Sequence, residues 1–211
     1  MFLVAVVLAS ALAVPLLGGR LARLAEVRLR LPWALPAALA LQVVALDVPG
    51  VPDPLRRLLH VGSYLVAGLF LVANRALPGI PLVALGAAAN LLAIAANGGV
   101  MPASPSALAA AGLPPDQPGF ANSAALAHPR LAFLGDVFAI PAAWPLSNVF
   151  SVGDVLIAAG AAVAIHGLCG SRLRWPRRRL PPAGHWWTSS SRRPARCGSR
   201  SGSASISIFY C

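Results

Sequence analysis

Apolar residues run along this chain in long blocks, not at the spacing of an amphipathic helix or an alternating strand. The first block, residues 1–17, would reach roughly 25 Å as a helix at about 1.5 Å per residue, against a hydrocarbon core of about 30 Å. Further blocks cover residues 31–48, 55–73 and 80–97, separated by the breakers Asp47-Val-Pro-Gly-Val-Pro-Asp53-Pro54 and Leu77-Pro78-Gly79 and closed by Gly98-Gly99. Pro32 sits in the first turn of the second block, where a missing N–H costs nothing, and Pro36 marks a kink one turn later. A fifth block, residues 155–169, is short for a span. Residues 98–154 are punctuated by eight prolines and cannot form a straight helix. Within them, residues 131–140 predict a short helix at a membrane surface or a re-entrant segment. The pattern therefore predicts an all-α integral membrane protein with about five transmembrane helices and an irregular segment between the fourth and fifth.

Composition agrees. Hydrophobic residues make up 57% of the 211 residues and charged ones 11%, where soluble domains carry about 25%; the mean hydropathy is +0.72. The net charge of +11 comes from 17 basic residues, all arginine, against six acidic ones. A secretory signal peptide is the competing reading of the first block, because Ala11-Leu-Ala13 resembles a cleavage site. Signal peptides place positive charge before the apolar run, whereas here Arg20, Arg23, Arg28 and Arg30 follow it, which favours a retained span. With the N-terminus outside and the C-terminus inside, fourteen arginines fall inside and only Arg56, Arg57 and Arg130 outside, as the positive-inside rule requires. Short arginine groups flanking apolar spans are not a nucleic-acid face. They predict contact with the lipid bilayer, and with anionic lipid at the basic inner segments.

Residues 1–173 thus form one polytopic domain of the bacterial cytoplasmic membrane; absent lysine beside abundant Ala, Arg, Pro and Gly suggests a GC-rich genome. Residues 174–211 form a basic Ser/Arg/Gly tail expected to be disordered. They also read like GC-rich DNA translated in the wrong frame, which resequencing of the locus tests. Cys169, Cys197 and Cys211 have no paired spacing, so neither a disulfide framework nor a metal site is implied, and no cofactor motif is present.

Polar residues inside the blocks are few. Asn90 and Asn97 are seven residues apart and share a helix face with Gly86 and Ala93; His60, Tyr64, Ala67 and Asn74 form a second stripe on the preceding helix. These stripes are expected to face each other, as interhelical hydrogen bonds or as a ligand or proton path. Ala5, Ala9 and Ala13, and Gly160, Ala164 and Gly167, are small-residue ridges for helix packing, and His166 reads as an interfacial histidine. Asn97-Gly98-Gly99-Val100-Met101-Pro102 makes a helix exit whose glycine N–H groups are free to hold a ligand or another loop. Ser151 and Asp154 have capping-box spacing at the start of the fifth helix. Asp136 and Asp154 lie at the outer mouth and are candidate ligand groups with Asn90, Asn97, His60 and Tyr64.

The Asn97-Gly98-Gly99-x-Met101-Pro102 and Ser151-x-Gly153-Asp154 elements, with Asn90, His128-Pro129, Asp136 and Pro141 in that order, resemble a bacterial (actinobacterial or firmicute-type) family of polytopic membrane proteins of unknown function. The resemblance covers residues 1–173 and implies a small multi-span protein with no established activity, cofactor or catalytic residue. Three classes of function remain open: a non-enzymatic accessory component with a membrane-protein partner or a second copy of itself, a small-ligand or ion-binding transport protein, and an outer-leaflet enzyme using His128, Asp136 or Asp154. No HExxH or GxSxG motif supports the last.

Overall fold

The computed structural model describes residues 2–115 and 123–172. The expectations made for the tail beyond 172, its disorder and its reading frame, lie outside the described residues. The described chain is mostly helical. Five apolar helices, α1 (Phe2–Leu16), α2 (Ala34–Asp47), α3 (Asp53–Ala73), α4 (Ile80–Ala96) and α6 (Val152–Cys169), occupy the five apolar blocks, and a short helix α5 (Pro105–Ala111) lies between the last two. Helices α3 and α6 are each long and apolar enough to cross a membrane; α1, α2 and α4 are shorter.

Helix boundaries follow from local chemistry. Leu31 adopts a left-handed φ of 51°, which leaves Pro32 outside α2. Pro36 then falls in the first turn of a helix starting at Ala34, where it removes no helical hydrogen bond, so the kink expected there is not required. At α6 the Ser151 hydroxyl accepts from the Asp154 N–H while the Asp154 carboxylate accepts from the Ser151 N–H, a complete capping box. That box starts the helix at Val152 and extends it to 18 residues, three earlier than its hydropathy suggested.

The region after α4 departs from the all-α expectation. Strand β1 (Met101–Pro102) pairs in parallel with β2 (Ser123–Ala124), and β3 (Asp136–Ile140) pairs antiparallel with β4 (Asn148–Ser151). Residues 131–140 are therefore not a surface helix. A 3₁₀ turn at Ala132–Leu134 is followed by a strand whose Val, Phe and Ile suit extended backbone. Pairing Phe138 with Phe150 and Ile140 with Asn148 gives this segment the backbone partners that a helix would have supplied internally.

The apolar helices pack in the order α1–α6–α4–α3–α2, so the first helix of the chain lies against the last. The α4–α6 contact is set by glycine. A Cβ at Gly86 would overlap the Gly153 carbonyl, and one at Gly79 would overlap the Gly160 carbonyl. Both pairs repeat at seven residues, two helical turns, so the antiparallel backbones meet twice along one seam. Gly167 lies against Pro78 and Ala164 against Gly79, placing the ridge on α6 in this seam. The ridge on α1 behaves otherwise. Ala5 and Ala9 are exposed, and α1 buries Ser10 and Val14 instead.

Burial inside this row of helices is sparse. Thirty large apolar side chains are exposed among the described residues, including Leu12 at 73% and Leu16 at 86% on α1.

Candidate functional site

The polar residues of α4 and α6 meet where the β3–β4 hairpin joins α6. Asn90 Nδ2 donates to Asp154 Oδ1 at 2.8 Å, and Ser151 Oγ donates to Asn90 Oδ1, also at 2.8 Å. The capping box closes the ring, with the Asp154 N–H donating to Ser151 Oγ at 2.9 Å and the Ser151 N–H to Asp154 Oδ2 at 3.1 Å. Asn90 is 4% exposed and Ser151 fully buried. Gly153 makes this approach possible, because a Cβ there would collide with the Asn90 amide oxygen and the Gly86 carbonyl. Three polar side chains that could have served a ligand thus engage one another.

Asp136 lies beside this ring, since β3 pairs Asp136 with Ser151. Its carboxylate accepts from Ser123 Oγ at 2.5 Å, and its backbone carbonyl accepts from the Ser104 N–H at 2.9 Å. Burial raises its pKa from 3.8 to about 6; the Ser123 hydrogen bond opposes this and the nearby Asp154 charge adds to it. Tyr64 lies within electrostatic reach of both aspartates and packs against Ala93, Ile94 and Met101. His60, fully buried, meets the Tyr64 ring edge-on with centroids 5.6 Å apart. The two polar stripes therefore do not simply oppose each other: the α4 stripe directs Asn90 to α6, while α3 contributes Tyr64 to an apolar contact.

Asn97 stands apart from the cluster. Its Nδ2 donates to the Arg130 and Ala93 carbonyls, both at 2.7 Å, and its Oδ1 accepts from the Arg130 N–H at 2.8 Å. Asn74, at the end of α3, grips Arg30 in the same way, accepting from its N–H at 2.9 Å and donating to its carbonyl and that of Phe70 at 2.8 Å. Each asparagine follows the last residue of its helix and clips a distant loop to it. The Gly98 and Gly99 N–H groups expected to be free instead donate to the Ala95 and Ile94 carbonyls, and the Arg57 side chain covers Gly99. That segment is a helix exit, with Met101 and Pro102 buried in β1 behind it.

Some contributors had no clear signal in the sequence. Ser123 is one serine of a polar stretch, and the parallel β1–β2 pairing together with the Ala103–Asp136 bridge brings it to Asp136. Arg56 donates to the Ala45, Val48 and Val51 carbonyls at 2.7–2.9 Å, capping α2 from the first turn of α3. His166 Nδ1 lies 3.0 Å from Ser171 Oγ at the far end of α6. His128 is exposed whereas Asp136 is buried. Among the described residues no group of three or more His, Cys, Asp or Glu side chains could hold a metal ion.

A family described as "Family of unknown function (DUF5317)" matches residues 26–166. The chain belongs to that family. The DUF5317 match takes in the whole cluster from His60 to Asp154, together with both asparagine clips, but not α1. An uncharacterised protein of Thermotoga maritima is 31% identical over 110 residues, 52% of this chain and 64% of that protein. The match thus spans less than two thirds of that relative's length. No solved structure matches.

Proposed function

We propose that this DUF5317 protein is a multi-pass component of the bacterial cytoplasmic membrane. Its five apolar helices cross the bilayer with the N-terminus outside and the C-terminus inside. It acts as a non-enzymatic accessory or interaction protein. The observation that carries the role is the closed Asn90–Ser151–Asp154 ring: the most chemically capable side chains in the apolar region hold α4, α6 and the hairpin together. Membrane placement draws its support from the thirty exposed apolar side chains. Moving each from water into hydrocarbon gains a fraction of the about 1.5–3 kcal/mol that a fully exposed apolar side chain would gain, and apolar surface exposed on this scale marks a face that meets lipid or another protein. Anionic lipid against Arg20, Arg23, Arg28 and Arg30 completes this reading.

Single cysteines at Arg28 and Ala127 in a cysteine-free background test the topology in intact cells. An impermeant maleimide should label the second position and not the first. Co-purification from mild detergent tests the role and should return a reproducible membrane-protein partner or a second copy of the chain. Neither appearing would overturn it.

A second reading rests on Asp136. A buried carboxylate poised near pH 6 and within reach of Asp154 and Tyr64 suits binding or uptake of a small ligand or ion, coupled to a proton. Asn90→Leu and Asp154→Asn should then abolish uptake by proteoliposomes. Unchanged uptake in both variants removes this reading.

A further inference from the structure

We propose that an open groove between the start of α1 and the β3–β4 hairpin binds one acyl chain of an outer-leaflet phospholipid. This rests on the membrane reading above and adds a binding site to it. The groove has a volume of about 420 Å³, within the roughly 300–1,000 Å³ of small-molecule sites. Phe2 and Ala5 of α1 form one wall; Ile140, Pro141, Trp144 and Phe150 of the hairpin and its loop form the other.

Ligand class follows from what lines it. Small-molecule sites combine apolar walls with a few placed polar groups that fix orientation, and protein interfaces surround their apolar centre with a polar rim. Every lining side chain here is aliphatic or aromatic, or is proline. Such a groove selects for apolar length alone, the property of a hydrocarbon chain. It is also continuous with a lipid-length surface, because Val4, Leu8 and Leu12 continue along α1 with exposures of 56%, 58% and 73%. Residues 2–17 carry no charge that would interrupt the path. At the hairpin loop Trp144 is 68% exposed. An indole placed there suits the boundary between acyl chains and headgroups, where its ring is apolar and its N–H reaches polar atoms.

The groove is held ready. Phe2 stacks on Phe150 with centroids 4.4 Å apart, and Phe150 stacks in turn on Phe138 at 5.4 Å. The loop is fixed by the Ala142 N–H donating to the Ala110 carbonyl and the Trp144 N–H to the Pro141 carbonyl, both at 3.0 Å. Little ordering therefore accompanies occupation, which favours binding.

The test uses the full chain in proteoliposomes containing a small fraction of phosphatidylglycerol with a diazirine in its acyl chain, with adducts mapped after illumination. Leu35, Leu39 and Val43 on the exposed face of α2 report ordinary lipid contact. Labelling of residues 2–5 and 139–150 should exceed that reference severalfold. Ala5→Trp, which narrows the groove from an exposed position, should remove the excess and leave α2 labelling unchanged. Ile140→Trp narrows it from the other wall and should do the same if the first variant does not fold. Equal labelling of groove and α2 overturns the site while leaving the membrane reading intact. Absence of labelling at both overturns the two together. A cross-linked dimer joined through residues 2–5 and 139–150 would assign the groove to a second copy and overturn the lipid.

Discussion

Asp136 shows how one position can carry more chemistry than its surroundings suggest. Its folded-state pKa of about 6 lies above the ordinary 3.8 because burial penalises the carboxylate. The folded state therefore holds a proton that the unfolded state has already released between those two values. The sign follows: the contribution of Asp136 to stability is fully present below about pH 4, is lost as pH rises to about 6, and is level above that. The rise from 3.8 to about 6 corresponds to roughly 3 kcal/mol. Asp136→Asn should flatten this dependence and raise the melting temperature at pH 8 relative to wild type, read from thermal unfolding in detergent across pH. Asn90→Leu should act in the opposite direction. It removes the acceptor of Ser151 Oγ and the donor to Asp154, and stranded buried groups cost about 1–3 kcal/mol. Asn97→Ala should release the Arg130 backbone, and limited proteolysis should then cut faster between residues 113 and 135. The existence of a polar cluster was legible in the sequence, because Asn90, Asp136 and Asp154 are rare types in apolar surroundings. One partnership was legible as well, the Ser151–Asp154 capping box, but the long-range ones were not: Asn90 reaches Ser151 across 61 positions, and Ser123 owes its role to a two-residue strand pairing.

Among the elements, the α4–α6 seam bears most directly on the proposed role. Gly86 and Gly153 allow backbones to meet so closely that a methyl group cannot be inserted. Gly153→Ala should therefore sharply reduce folded yield and melting temperature. Gly68→Ala on α3, where an added Cβ meets nothing within 4 Å, should be neutral or stabilising by about 0.5–1 kcal/mol, since alanine favours helix. Side-by-side melts of the two variants check this contrast. The five apolar helices were legible in the sequence because apolar blocks bounded by Pro and Gly leave few alternatives, whereas α5 falls in the stretch expected to be irregular. The hairpin was not, because residues 131–140 and 148–151 are too short to declare a period, and they become strands only by pairing with each other. The Asn74 and Asn97 clips occupy a recognisable position, the residue after a helix end, but the sequence could not name the loop each one holds.

For the whole molecule, the packing order α1–α6–α4–α3–α2 spreads the helices and leaves apolar faces uncovered. Dilution below the critical micelle concentration of its detergent should make the purified protein sediment, and transfer into lipid nanodiscs should keep it dispersed. Analytical ultracentrifugation separates these outcomes. The order of packing also has a consequence in time. Beside the helix contact itself, the Arg20 N–H donates to the Cys169 carbonyl and the Arg172 N–H to the Leu17 carbonyl, at 3.0 and 2.9 Å. One strip of backbone thus joins residues that leave the ribosome about 150 positions apart, or roughly 8–30 s at about 5–20 residues per second. Until α6 is made, α1 waits in the nascent chain without its native neighbour. Assembly therefore closes last at the residues made first.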